Sequence, residues 1–569
     1  MKKLLKSVLV SAAMLTVFAG CSSGGGSASS ENGGQQKEED GIKVYSGFFA
    51  VPGEEVPDSS RLYQALAKES GAKVKVTWLT GQTAKERIGV MISGGDYPDL
   101  VDASDGRSAM IDAGAYIPLE DYILETDDYP NLRALYSDVD WEKIKSANDG
   151  HVYTIPQFSS TKGEDMDPNY GGEAFWIQKR VLEWADWPVL TTVEEYFDLI
   201  GAYLEANPET DGQKNIGFET LSDDWRYFAL ENPPQFLAGY PNDGAAIVDP
   251  DTLEAKVYDL IPEAEEYFQI LSEQYDKGVI DPETFTLKYD QYIAKLSSGR
   301  VLGMIDQGWN FNTARDSLIA QEKYDLTYVP WGLVLDSGVT PQYREVNTLN
   351  TNGGVGITTS AKDVEGILSF LDYLVSEEGT ILHNWGELGV DYEIDDSGKF
   401  YRTEEQRATW KDQDYYKANR TPYSYLPNFK GMLPDGINAV NPSQQPEEYL
   451  ATLEDYDKEV LAAYGHEKWT DFVAAQDPLT PWFPIYTERS NWTAKDEAGI
   501  ASQNMQEVKM QWLPKVISGG AENFAENWKA YTSDYEKRIN YKAYEEALTT
   551  EVKRRVENDK EIRERLGAE

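Results

Sequence analysis

Residues 73–79 alternate Val74, Val76 and Trp78 with polar neighbours, the period of two expected of a strand with one buried face. Thr83 and Glu86 then stand at the spacing of a capping box, which satisfies free N–H groups at a helix start, and Gly94 and Gly95 supply the stop. Thr192 and Glu195 repeat the box. After them Val193, Tyr196, Phe197, Ile200 and Leu204 keep helical spacing until Asn207 and Pro208 break it. Ser360, with Asp363 at the third position, is the expected cap of another helix, whose apolar stripe is Val364, Ile367, Leu368, Leu371, Leu374 and Val375. Phe524, Trp528, Tyr531 and Tyr535 mark a C-terminal helical segment. The body reads as α/β, without an internal repeat.

The N-terminus carries another pattern. Lys2, Lys3 and Lys6 precede an apolar stretch at 7–19, too short to span a bilayer as a helix but of the length of a secretion signal's core. V-F-A-G-C at 17–21 resembles the bacterial lipobox, with Phe18 departing from the usual Leu. The expectation is a lipoprotein signal peptide at 1–20, acylation at Cys21, and a Gly/Ser-rich flexible tether at 21–41. No other hydrophobic run approaches membrane length. The protein is therefore expected outside the cytoplasm, on the outer face of the bacterial cell membrane, held by its lipid alone.

Composition narrows the function. Hydrophobic residues make up 41% of 569, enough for a core. With 98 Asp+Glu against 52 Lys+Arg, the formal charge of −46 argues against nucleic acid and anionic membrane surfaces as partners. Loss of residues 1–20 removes three Lys and no acid, which makes the body more acidic still. One Cys excludes disulfides within the chain and a thiolate metal cage. Phe, Trp and Tyr reach 12%, a content suited to stacking on the C–H faces of pyranose rings.

Six short segments, in order, carry a resemblance: S-G-G-D-Y-P-D-L at 93–100, A-Y-I-P-L-E-D-Y at 115–122, D-G-H-V-Y-T-I-P at 149–156, F-W-I-Q-K-R-V-L at 175–182, Pro188 with Thr191 and Thr192, and S-G-R-V-L-G-M-I at 298–305. Over roughly residues 42–400 the chain resembles the extracellular solute-binding proteins of family 1, the oligosaccharide-binding lipoproteins of ABC importers. Beyond Arg402 the match is loose. The resemblance implies a two-lobed, type II periplasmic-binding-protein-like fold, its lobes joined by crossing hinge segments, with C-terminal helices. One lobe is expected from 42–160 plus 345–400, the other from 161–344 plus 401–569. The implied function is capture of an oligosaccharide, which the acidic charge predicts to be neutral, in the interlobe cleft and delivery to ABC permease subunits, by a monomer expected not to be an enzyme and to require no cofactor.

Trp309 follows the strand at 301–305, where the resembled maltodextrin binders place a sugar-stacking Trp. Trp225, Trp331, and Trp385 with Tyr392 are further ligand candidates; Asp105 and Gln157, in loops after strand-like segments, are candidate hydrogen-bonding partners. Asn207, Glu209, Asp211, Gln213 and Asn215 place oxygens at alternate positions with Gly212 sixth, the spacing of a calcium loop; a helix-terminating turn is the other reading. No nucleophile elbow, P-loop or dinucleotide fingerprint appears. The rival reading is a lipid-anchored glycoside hydrolase, which needs only a carboxylate pair and aromatic subsites.

Overall fold

The computed structural model describes residues 38–344, 348–474, 479–493 and 495–568. Cys21, the signal segment and the tether up to residue 37 lie outside the described residues.

Nine strands form the two larger sheets: β1 (Glu38–Glu39), β2 (Ile42–Phe49), β3 (Ala72–Trp78), β4 (Leu100–Asp102), β5 (Glu173–Gln178), β6 (Ile216–Glu219), β7 (Val301–Gln307), β8 (Tyr328–Trp331) and β9 (Gly356–Ile357). In the first sheet β2 is central. It pairs in parallel with β3, from Lys43↔Ala72 to Phe49↔Trp78, and with β4; β9 closes the far side antiparallel to β4. The second sheet runs β8-β5-β7-β6, with β6 parallel to β7 and the other pairs antiparallel.

The principal helices are α1 (Arg61–Ser70), α2 (Ala84–Gly94), α3 (Asp138–Ser146), α4 (Val193–Ala206), α5 (Pro262–Asp276), α6 (Val364–Leu374), α7 (Glu497–Ser518), α8 (Phe524–Arg538) and α9 (Tyr541–Leu566). Both capping boxes form as expected: Thr83 opens α2, which Gly95 ends in the left-handed conformation, and Thr192 opens α4, which stops at Asn207. At α6 the cap is Asp363, not Ser360. The Asp363 side chain accepts from the Gly366 N–H, while the Ser360 hydroxyl accepts from the distant Tyr97 N–H.

Each sheet has its own core. Tyr45, Leu66, Val74, Leu100, Ile367 and Leu371 cluster on the first, Phe175, Tyr196, Phe218, Leu302 and Ile305 on the second. Tyr423, Leu426, Phe429 and Val440 join the first cluster, although 401–569 was expected to belong with the second lobe. Helices α7, α8 and α9 return to the second core through Val508, Trp528, Tyr531, Tyr544 and Leu548. The chain thus crosses between lobes after β4, before β9 and again before α7. The far end of α9 reaches back to α3, where Lys143 and Asp559 pair at 2.5 Å. The expected tether ends early: β1 pairs with Ile42 and Lys43, and Glu39 meets Lys73 at 2.9 Å and Lys75 at 3.0 Å.

Candidate functional site

The segment at 157–172 carries the chain from the first lobe to the second, and an exposed aromatic group stands at each end of it. On the second lobe β7 ends at Gln307 and turns through Gly308, whose N–H donates to the Gly172 carbonyl at 3.0 Å. A Cβ at 308 would lie 2.6 Å from the Tyr170 carbonyl oxygen, so this close approach requires glycine. The turn delivers Trp309 to the crossing segment, 46% exposed; Trp225 is 52% exposed. Their indoles are nearly parallel, at 8°, with centroids 5.8 Å apart. The Trp309 Nε1–H donates to Gln307. Buried Glu173 accepts from Asn232 at 3.0 Å and from Gln307 at 3.5 Å.

From half-buried Arg226 beside the indoles a polar chain runs into the core. The Arg226 Nε–H donates to Asn310 Oδ1 at 3.0 Å, and Asn310 Nδ2 donates to both Asp306 oxygens at 3.0 Å. The Tyr292 hydroxyl also donates to Asp306, at 2.8 Å. Asp306 is fully buried, and burial pushes its carboxyl up to about 7 despite these donors.

On the first lobe Trp78, at the end of β3, packs against Phe49 at 5.3 Å and against Tyr425 at 5.5 Å. Phe158 opens the crossing segment with a positive φ of 59° and stands edge-on to Tyr425, 53% exposed. Beside it the Gln157 Nε2–H donates to Asp102 at 2.6 Å, and the Gln157 Oε1 is buried without a hydrogen-bond partner. Burial raises the Asp102 carboxyl above its ordinary range.

The structure brings Trp225 and Trp309 together and sets Gln157 beside Phe158; Asp105 is exposed on the turn Ser104–Gly106. Three ligand candidates are core residues instead. Trp331 is 5% exposed in β8, edge-on to Tyr464 and Phe472. Trp385 is fully buried, donates to the Ala439 carbonyl at 3.0 Å, and packs against Tyr392 and Phe400. Tyr392 is itself 5% exposed, so none of the three has a face for a ligand. Sequence reasoning missed Trp78 as a wall residue, because it served there as one more apolar strand position. It missed Phe158 and Tyr425 altogether; their partnership spans 267 positions and no local pattern signals it.

The calcium candidates do not fit a metal. Glu209–Thr210 and Gln213–Lys214 pair as an antiparallel hairpin whose turn residues, Asp211 and Gly212, have φ of 51° and 74°. The Asn215 amide donates to the Asn207 carbonyl at 2.8 Å and accepts from Thr210 at 2.6 Å; Asp211 pairs with Lys323 at 3.2 Å. The side chain of Asn215 is thus engaged within the hairpin and that of Asp211 with a lysine. Among the described residues no group of three or more His, Cys, Asp or Glu is placed to hold a metal ion.

A cavity of about 860 Å³ lies elsewhere, between α3, the segment at 159–162 and α9, and none of the exposed aromatic groups lines it. Four of its cations are paired with carboxylates, Lys143 and Arg563 with Asp559, Arg554 and Arg555 with Glu551, while Lys162 lies 4.0 Å over the Phe429 ring. No helix among the described residues is long and apolar enough to cross a membrane.

Residues 61–400 match the family of bacterial extracellular solute-binding proteins. The fructooligosaccharide ABC transporter substrate-binding protein FusA of Streptococcus pneumoniae is 26% identical over 353 residues, which is 59% of this chain and 61% of that protein. The lipoprotein LipO of Bacillus subtilis is 23% identical over 377 residues, 63% of this chain and 68% of LipO. Among solved structures, FusA with an altered EF-hand, in complex with fructo-nystose, superposes with a TM-score of 0.61 at 19% identity. That superposition covers 90% of this chain and 99% of FusA's. An HMO-binding, ABC-transporter-associated solute-binding protein of Bifidobacterium longum infantis gives 0.62 at 15% identity, covering 91% of this chain and 99% of that one. These likenesses show a two-lobed solute-binding fold.

Proposed function

The chain belongs to the bacterial extracellular solute-binding proteins, and on that premise we propose that it captures a neutral oligosaccharide between its lobes for an ABC importer. The observation that carries this is the parallel, half-exposed Trp225–Trp309 pair beside the crossing segment. A large flat apolar surface left in water at a lobe edge suits the C–H face of a sugar ring. Trp78, Tyr425 and Phe158 offer a second such surface at the other end of the segment. The relatives named for oligosaccharides support the class of ligand. The charge of −46 supports a neutral one, since uronate or sulfate groups would be repelled at long range. Lipid attachment at Cys21, export, delivery to permease subunits and a monomeric state belong to the same proposal; the likeness to LipO supports the first.

Thermal unfolding with fructo-nystose, maltotriose, xylotriose and an alginate trimer tests the reading. A neutral sugar at 100 times its Kd stabilises the native state by ~2.7 kcal/mol. The expected result is such a shift for a neutral sugar, none for the alginate trimer, and no new reducing ends after prolonged incubation. No shift with any sugar overturns the binding reading. Preference for the alginate trimer overturns neutrality, and stoichiometric new reducing ends point to the hydrolase instead.

A further inference from the structure

Trp309 tops an arrangement that begins well beneath it. The Arg226 guanidinium carbon lies 3.8 Å over the Tyr289 ring and 4.4 Å over the Trp225 ring, so one cation is shared between two aromatic faces. Trp225 in turn lies parallel to Trp309. Phe228 tilts against both indoles, at 6.1 and 6.0 Å. The base closes on itself through Asn310, the residue after Trp309. Its side chain accepts from Arg226 at 3.0 Å and its backbone carbonyl accepts from the Tyr289 hydroxyl at 2.6 Å. Asn310 is 2% exposed and anchored on buried Asp306, so the guanidinium is directed by a buried, hydrogen-bonded side chain.

A solvent-facing indole on a turn gains little by lying in one orientation, and ordering such a side chain costs binding free energy. A planar guanidinium offers an aromatic ring a matching flat face, which a lysine ammonium does not. We propose that Arg226 is the positioning residue of the Trp225–Trp309 platform, fixing the Trp225 plane against Trp309 so that a sugar ring meets an already ordered surface. This rests on the binding reading above. It adds that the affinity depends on a side chain that need not touch the sugar.

The test reads geometry and binding separately. Indoles with centroids 5.8 Å apart couple excitonically, so an ordered pair in the wild type should show a tryptophan couplet in circular dichroism that Trp225→Phe and Trp309→Phe each abolish, and a wild type without one overturns the ordered platform. Arg226→Leu and Arg226→Lys should both lose at least half of that couplet. Both should also weaken the sugar found in the thermal panel, fructo-nystose first, by about tenfold, equivalent to ~1.4 kcal/mol. Tyr289→Leu, which leaves Arg226 with one aromatic face, should lose part of each signal, and it serves if Arg226→Leu does not fold. A full couplet in Arg226→Leu, or in Tyr289→Leu where Arg226→Leu does not fold, overturns the positioning role. So does a lost couplet with wild-type affinity. Absence of sugar binding in the wild type overturns the binding reading alone, because the couplet still reports on Arg226.

Discussion

Trp309 and Trp385 are the same residue type in opposite situations, and their truncation separates the two. Trp385 is fully buried and hydrogen-bonded to the Ala439 carbonyl, so Trp385→Ala should cost ~3–5 kcal/mol of stability. Trp309 is 46% exposed with one indole stacked on it. Trp309→Ala should leave the melting temperature close to wild type and weaken sugar at least tenfold, ~1.4 kcal/mol or more. Denaturant melts and calorimetric titration of both variants check this; a Trp309→Ala protein that melts far lower but binds normally makes Trp309 a core residue. Asp306 gives the pH prediction. Tyr292, Tyr289 and Arg226 are the titratable or charged groups around it, and burial outweighs them in pushing its carboxyl up to about 7. The unfolded carboxyl releases its proton near ~3.9. Between those values the native state holds the extra proton, so the contribution of Asp306 to stability falls as pH rises and levels off above about 7. Wild type should therefore gain on Asp306→Asn as pH drops from 7 toward 4 in denaturant titrations. Parallel curves for the two would mean that Asp306 ionises as an ordinary carboxylate.

Local chemistry makes some elements readable in isolation. The boxes at Thr83 and Thr192 form because cap and partner lie within one turn of each other, and nothing distant competes. Ser360 fails as a cap because Tyr97, far away in sequence, takes its hydroxyl. The hairpin at 209–214 deceives differently. Alternating oxygens every second residue is the pattern of a calcium loop, but a strand also alternates its side chains at that period, and the left-handed pair Asp211–Gly212 turns the chain tightly enough to close a hairpin. Asp211 held by Lys323 and Asn215 by Asn207 take two of the five candidate donors away from an ion. Excess chelator should accordingly leave the melting temperature of the purified protein unchanged. A drop that added calcium restores would show that the loop rearranges around the ion.

At the scale of the molecule, two sheets with separate cores are joined by segments that cross three times, and α9 spans from the second core to Lys143 on α3. The proposed function attaches this chain, of formal charge −46 over all 569 residues and with no helix among its described residues long and apolar enough to cross a membrane, through a lipid at Cys21. Cys21→Ala should therefore block processing at this site or release the protein into the medium, as read by fractionation and immunoblotting. Membrane retention and processing like wild type would remove the lipobox reading.

Patterns that act over a few residues were legible in the sequence alone: α/β character, two capping boxes and the apolar stripe of α6. The six ordered segments extended this to the family and to two lobes. Which Trp faces water was not legible, because burial depends on what the rest of the chain lays over a residue. Trp331, Trp385 and Tyr392 carry the same local signals as Trp225 and Trp309, and only packing against Tyr464, Phe472 and Phe400 sets them apart. The place of residues 423–440 in the first core and the support of Trp225 by Arg226 were likewise tertiary decisions. A periodicity states that a residue has a buried side; it does not state what it is buried against.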